Sequence, residues 1–543
     1  MARLTLRLSA AAKQCYIEAH QAWVQKNLPL LKECLERLAE AASDSVYLLR
    51  LRLYQAGYEN KWVTACALAA ELLQGLLETD EPHDEIWQKC TAEAWHLYGD
   101  YLYRLGADGA VEAFLAAAEQ EPDIRQALQE CSNAIFTAND REHSAAEWQA
   151  LFARWRELLR RAVPEPFSPA PDYGHKKLRV GYLSADLHRH PVLNFVLPLL
   201  EKDFDSDAFE IFVYATGGED ELTAAIKADI PNWRALNGRT AEEVARAIRA
   251  DEIDILVELG GHSANNRLAV LAYRPAPLQL LALGYMGSSG MHEVDYVVGD
   301  AVLDGVPEEN ERFFTEELLI LPQTHFCYAL LSPLPEVQPP PCLRNGYVTF
   351  GCMNNFAKVS DEALALWGEI LRQAEGARLI IKHRIFDDEE GRAYTLERLE
   401  RLGVDTERVE LRGFTSDYLL TYHDIDIALD TFPYTGGLTT CETIAMGVPL
   451  VSRYGGRHGT RFSYSLLKNI GLEGLCTDTA EGYLALAVQL AQDKELLAAL
   501  RTQLRPMLFN SPVCDRAGYR RQVAEAYRQI WQKREAGLRG ENS

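Results

Sequence analysis

Apolar and polar positions follow two different rhythms along this chain. From Leu6 to about Leu159, apolar residues recur at helical spacing among Ala, Glu and Gln, with few β-branched clusters, and predict helices throughout. After Arg161 the rhythm changes to short, continuous apolar runs separated by helical patterns: LRVGYLSAD (178–186), FEIFVYA (209–215), DILVELGG (254–261) and LQLLALGY (278–285). A second set comprises YVTFGCMNN (347–355), ARLIIK (377–382), RVELRGF (408–414), IDIALD (425–430) and PLVSR (449–453). Such runs predict buried strands, and their alternation with helices predicts parallel, doubly wound sheets. Two proline-rich stretches, 161–177 and 330–341, read as connections between the parts. The expected organisation is an all-α domain over 1–165, then two Rossmann-like halves over 176–341 and 346–543.

Within the helical third, Trp95, Gly99, Ala110, Phe114, Ala117 and Pro122 fall near the positions of a tetratricopeptide repeat if one residue is deleted between its helices. A TPR-like domain and a plain helical bundle both fit. A chain of 543 residues needs two or three domains on size alone. Its formal charge of −24, without a long basic block, argues against nucleic acid as a partner. Eleven cysteines show neither CxxC pairs nor His/Cys ligand spacing, so neither a zinc site nor a disulfide framework is expected. No apolar run reaches membrane-spanning length and the first residues lack a signal-peptide core, so a soluble, cytoplasmic protein is expected.

The stretch from Asp424 to Pro449, DIDIALDTFPYTGGLTTCETIAMGVP, carries the densest chemical signal. An apolar strand, a turn with Gly436 and Gly437, and a helix opened by Thr439, Thr440 and Glu442 together make an anion site, where backbone N–H groups and the helix dipole meet a phosphate. An ordinary strand-to-helix connection reads the same way. In open α/β sheets ligands bind beyond the carboxyl ends of strands. Asp186, His188, Arg189 and His190 follow the first strand there, and an imidazole beside a carboxylate suits general-base work. His262, Asn265, Asn266 and Arg267 follow the third run, and the glycine-flexible loop LGYMGSSG (283–290) follows the fourth. Lys358, three residues after Asn355 at another strand end, can neutralise a departing diphosphate.

Several ordered blocks carry a more specific signal: SADLHRHP, VELGGHSANNRLAVLAYRPAPLQLLALGYMGSSG, FGCMNNFAKVSDEALALWGEIL, DIALDTFPYTGGLTTCETIAMGVPLVS, GGRHGTRFSYSLL and RPMLFNSPVCDRAGYRRQVAEAYRQIW. Over about residues 176–532 the chain closely resembles bacterial members of the O-GlcNAc transferase and SPINDLY family. The resemblance implies a GT-B fold, two Rossmann-like domains facing a cleft and preceded by the helical repeats. It also implies an inverting, metal-independent transfer of N-acetylglucosamine from UDP-GlcNAc to Ser or Thr of a protein acceptor, with no cofactor. By the same resemblance Asp186 and His190 match catalytic-face positions, and Lys358 the lysine on the donor diphosphate. Gly284 and Asn355 match donor contacts, Gly437, Thr439 and Thr440 the phosphate turn, and Glu442 the acidic residue on the ribose.

Four positions depart from the family pattern. Leu438 replaces a phosphate-binding threonine, Tyr418 replaces a histidine that stacks on the base, Thr435 replaces an asparagine, and Asn194 replaces a histidine near the HP pair. Alternative readings are O-fucosyl transfer from GDP-fucose, glucosyl transfer to asparagine as in HMW1C-like enzymes, and a helical-repeat interaction module with an inactive transferase half.

Overall fold

The computed structural model describes residues 4–79, 82–168, 170–201, 204–205, 207–305 and 311–538. Pro169, inside the first proline-rich connection, lies outside them. The helical rhythm becomes helices Ala10–Val24, Leu28–Ala41, Val46–Tyr58, Trp62–Leu77, Glu85–Arg104, Ala110–Gln120, Ile124–Thr137 and Ala145–Ala162. Most begin where a short polar side chain can accept from first-turn N–H groups. Ser9, Asn27, Ser45, Asp84 and Asp123 each do so, and Ser144 with Glu147 forms a reciprocal capping box. The buried stripe of each helix, such as Leu31, Leu35 and Leu38 on the second, supplies the core between neighbours.

The apolar runs become two parallel sheets. The first holds β1 (Leu178–Ser184), β2 (Phe209–Ala215), β3 (Asn232–Ala235), β4 (Ile255–Glu258), β5 (Leu278–Leu281), β6 (Tyr296–Asp300) and β7 (Glu317–Leu321). Its order is β3-β2-β1-β4-β5-β6-β7, with Val180 level with both Ile211 and Ile255. The second holds β8 (Thr349–Cys352), β9 (Arg378–Lys382), β10 (Val409–Arg412), β11 (Ile427–Leu429), β12 (Leu450–Arg453) and β13 (Cys476–Thr477), in the order β10-β9-β8-β11-β12-β13. Strands β3, β6, β7 and β13 are additional to those marked by the apolar runs. In both sheets the strand order reverses beside the first strand, between β1 and β4 and between β8 and β11. Those are the switch points where open α/β sheets take ligands.

By backbone proximity the chain forms two compact units: residues 1–138, 355–368 and 381–416 in one, and 139–354, 369–380 and 417–543 in the other. In the first, Arg398 is buried and donates to Asp361 Oδ1 (2.6 Å), to the carbonyl of Val359 (2.9 Å) and to that of Leu105 (3.5 Å). In the second, buried polar pairs join the first sheet to the segment between β12 and β13. His458 Nδ1 stands 2.9 Å from Asp304 Oδ2, and Ser465 Oγ donates to Asp300 Oδ2 at 2.7 Å. Burial works against the charged His458 ring, and the Asp304 carboxylate outweighs it, leaving the pKa raised. The closing helix Arg516–Leu538 brings Tyr527 to Tyr182 of β1, their hydroxyls 3.3 Å apart.

Candidate functional site

At the switch point of the second sheet the controlling residue is Asp430, which ends the β11 run and is wholly buried. Its Oδ1 accepts from Asn354 Nδ2, Thr431 N and Gly436 N, each at 3.0 Å, and its Oδ2 from Ser452 Oγ at 2.7 Å. The carboxylate therefore folds the 431–437 turn around itself. Gly436 departs from the sequence expectation: its N–H faces Asp430 instead of a ligand. Glycine is needed there for close approach, because an added Cβ would lie 2.5 Å from Thr440 Oγ1. A Cβ added at Gly437 would come no nearer than 4.0 Å to any neighbour, that one being Phe462 Cδ2, an ordinary contact.

Helix Leu438–Ala445 starts immediately afterwards and has no side-chain cap. The first N–H groups of a helix have no intrahelical acceptor, so an uncapped start offers them, with the positive end of the dipole, to an anion. Thr440 contributes only its backbone, since its hydroxyl is turned inward onto Ser463 Oγ at 2.7 Å. One turn along, half-buried Glu442 accepts from Tyr418 Oη at 2.5 Å. Burial pushes the Glu442 carboxyl up to about 7, with the Tyr418 hydroxyl pulling the other way. The Tyr418 phenol is raised in turn by burial and then by Glu442.

Asn354 is thus tied to the glycine turn, and the chain continues from it into a 3-10 turn, Phe356–Lys358, of the other compact unit. Exposed Asn355 caps that turn, its Oδ1 accepting from Ala357 N at 3.3 Å. Phe356 is buried against His383, which stacks between it and the edge of Trp62. Lys358 closes the turn and is half-buried.

At the switch point of the first sheet, Asp186 and His190 come together, Nδ1 lying 3.8 Å from Asp186 Oδ2. The Val192 N–H points at the same nitrogen from 3.4 Å. Burial lowers the His190 pKa, Asp186 opposes the shift, and His188, 5.8 Å away edge to face, adds to it. A neutral imidazole held beside a carboxylate is equipped to take a proton, and a loose contact of this kind can tighten when substrate is bound.

Sequence reasoning missed Glu258, the last residue of β4. It is fully buried, accepts from Gly261 N at 2.6 Å, and is pushed up to about 8 by burial against the pull of that N–H, with Asp186 adding to the rise. The only signal in the sequence is an acid inside the run DILVELGG. Gly284, after β5, follows Leu283 at φ +62° and could carry no Cβ, which would lie 1.7 Å from the carbonyl oxygen of Leu259. Its glycine is required by backbone packing before any ligand is considered. The loop it opens is held by Glu316, which accepts from Ser288 Oγ at 2.6 Å and Ser289 N at 2.8 Å.

The structure thus gathers Asp186, His190 and Gly284 at the edge of the first sheet, and Tyr418 with 436–442 at the edge of the second. A strap at 324–329 joins the two edges. Ala329 N donates to Asn194 O at 2.7 Å, Phe195 packs on Tyr328, and Phe326 meets Phe462 edge to face with ring centroids 4.9 Å apart. Lys358 and Asn355 stand in the other unit.

Two parallel sheets of Rossmann order, each with its polar cluster at the switch point, define a glycosyltransferase fold of the GT-B class, as the sequence resemblance implied. The family model described as Glycosyl transferase family 41 matches residues 140–333 and 342–523, and the chain belongs to that family. A solved mutant of the Thermobaculum terrenum O-GlcNAc transferase is 30% identical, with a TM-score of 0.82, covering 98% of this chain and 99% of that one. A Solanum lycopersicum protein named "Probable UDP-N-acetylglucosamine--peptide N-acetylglucosaminyltransferase SPINDLY" is 38% identical over 66% of this chain, and an Oryza sativa protein of the same name is 35% identical over 78%. The chain spans 39% and 46% of the lengths of those two plant relatives. Among the described residues no helix is long and apolar enough to cross a membrane.

Proposed function

We propose that this chain is an inverting protein O-glycosyltransferase that moves N-acetylglucosamine from UDP-GlcNAc to Ser or Thr of a protein acceptor. The observation that carries the reading is the uncapped start of helix Leu438–Ala445 beside the Tyr418–Glu442 pair, in a chain of glycosyl transferase family 41. Backbone N–H groups of 437–440 would hold the diphosphate, Glu442 the ribose hydroxyls and the Tyr418 ring the base. As the acceptor oxygen attacks C1 and the bond to UDP breaks, charge builds on the diphosphate, where Lys358 and the helix start stabilise it. Asp186 and His190 are the groups on the opposite sheet edge able to receive the hydroxyl proton. The relatives' names and the 30% identical O-GlcNAc transferase structure support the choice of sugar and acceptor class.

In this reading the helical third binds the acceptor polypeptide, the reaction takes place in the cytoplasm, and neither a metal nor a cofactor takes part. Purified protein incubated with UDP-GlcNAc and a cell lysate, with and without chelator, tests it. Masses of modified proteins rising by one N-acetylhexosamine, equally in both samples, are expected. Loss of transfer on chelation, restored by magnesium or manganese, would overturn the metal-independent part, and no mass increment with any acceptor would overturn the transfer itself.

One observation keeps GDP-fucose as a second donor to test. The Tyr418 hydroxyl is spent on Glu442, so its ring offers the base a stacking face without a polar group, which favours no one base. A mass increment of one deoxyhexose from GDP-fucose, with none from UDP-GlcNAc, would select that reading.

A further inference from the structure

Arg267 ends the GGHSANNR loop at the edge of the first sheet; its backbone N–H donates to Glu258, and its side chain has no acidic partner. Its Nη1 and Nη2 reach only the backbone carbonyls of Arg239 and Thr216, both at 3.4 Å, and its buried Nε meets no acceptor. Burial lowers its pKa and no neighbouring carboxylate offsets the shift. Two further buried atoms here also lack partners. They are Thr216 Oγ1, on a residue only 3% exposed, and Ser263 Oγ in the Arg267 loop itself. Buried polar groups in folded proteins are nearly always paired, so three together call for an explanation.

Their position supplies one. Thr216 N donates to Ser184 O at 3.0 Å, which places the residue two positions from Asp186 across the β1–β2 edge. Ser263 lies beside Glu258, since a Cβ built on Gly260 would stand 3.4 Å from Ser263 Oγ and 3.0 Å from Glu258 Oε1. An unneutralised guanidinium and two unpaired hydroxyls thus flank the Asp186–Glu258 switch point, on the sheet that the proposed reaction uses for the acceptor.

We infer that Arg267, with Thr216 and Ser263, forms a carboxylate subsite for an acidic side chain of the acceptor polypeptide, close in sequence to the modified Ser or Thr. This rests on the acceptor assignment above. A guanidinium's planar fork matches a carboxylate, and one arginine suits a monoanion better than a diphosphate, for which the helix start at Leu438 is already placed. The chain's charge of −24 repels acidic peptides in general, so a preference for one has to come from a local group such as this.

The test uses the full-length protein and two fluorescein-labelled peptides, Asp-Asp-Ser-Asp-Asp and its neutral isostere Asn-Asn-Ser-Asn-Asn, followed by fluorescence anisotropy. A hydrogen-bonded charged contact is expected to favour the acidic peptide about tenfold or more in the wild type. Arg267→Gln should bring the two peptides within about twofold of each other, Arg267→Lys should keep part of the preference, and UDP affinity should be the same in all three proteins. Thr216→Val, which keeps the shape of the residue, should reduce the preference less. A wild type that does not discriminate, an Arg267→Gln protein that still does, or a fall in UDP affinity would each overturn the subsite. Failure of UDP-GlcNAc transfer would instead count against the proposed reaction and would leave this binding result standing.

Discussion

Donor binding should weaken as pH falls through 7, because the residue proposed to hold the ribose titrates there. Glu442 is raised to about 7 by burial, and ribose hydroxyls donate best to its ionised form. With that pKa the ionised fraction is about nine tenths at pH 8, one half at pH 7 and about one tenth at pH 6. If only that fraction binds well, apparent affinity for UDP-GlcNAc should drop about tenfold from pH 8 to pH 6, about 1.4 kcal/mol, with roughly another tenfold per further unit. Calorimetric titration with UDP-GlcNAc between pH 5.5 and 8.5 reads this directly, since the esterified diphosphate does not itself titrate there, and proton release on binding below pH 7 should accompany it. Tyr418→Phe removes the hydroxyl that favours the carboxylate, so its midpoint should move above the wild-type value. Glu442→Gln should bind weakly and without pH dependence. A flat wild-type profile from pH 6 to 8, or a Glu442→Gln protein that keeps the slope, would remove Glu442 from the donor site.

Lys358→Ala should cut turnover by about 10²- to 10³-fold while changing donor affinity much less, because its charge matters most as the diphosphate departs; near-normal turnover would exclude it. The two glycines of the turn should separate cleanly. Gly436→Ala drives a Cβ towards Thr440 Oγ1 and should lower the melting temperature, whereas Gly437→Ala makes only an ordinary 4.0 Å contact with Phe462 and should leave melting unchanged while weakening UDP binding. Equal melting losses in both would contradict this. Glu258 binds its proton more tightly folded (about 8) than unfolded (about 4.5). Its contribution to stability is present below pH 4.5 and lost as pH rises through 8. Chemical denaturation of Glu258→Gln should therefore show a smaller loss of stability between pH 5 and 8 than the wild type, and parallel curves would refute it.

Buried parallel strands were legible because they are continuous apolar runs, which is why 178–186 and 209–215 correspond to β1 and β2. Strand β3, NWRA, has only Trp233 buried and no such run, whereas β7, ELLIL, does carry a short apolar run but lies at the sheet edge, where Glu317 and Ile320 are exposed. Strand β6 ends in Gly299 and Asp300, whose carboxylate collects the N–H groups of Val302, Leu303 and His325. The same physics hid Asp430 and Glu258. Each is an acid at the end of an apolar run, ordinary in sequence, and its partners, backbone N–H groups and for Asp430 also Asn354 and Ser452, are ones that only folding delivers. Gly436 and Gly437 look equivalent in the sequence, and it is Asp430 that makes one structural and leaves the other open.

A helical array at the front of an enzyme is commonly treated as an exchangeable adaptor, to be grafted or trimmed at will. Arg398 argues otherwise here, since one side chain grips both the Leu105 carbonyl at the end of a helix and the Val359 carbonyl next to Lys358. A chimera built by swapping the helices at the proline-rich connection would break that grip and loosen the lysine turn, whatever polypeptide the new helices recognised. Changes of helix sequence in this family would then be inherited together with changes around 355–361 and 398, as one trait.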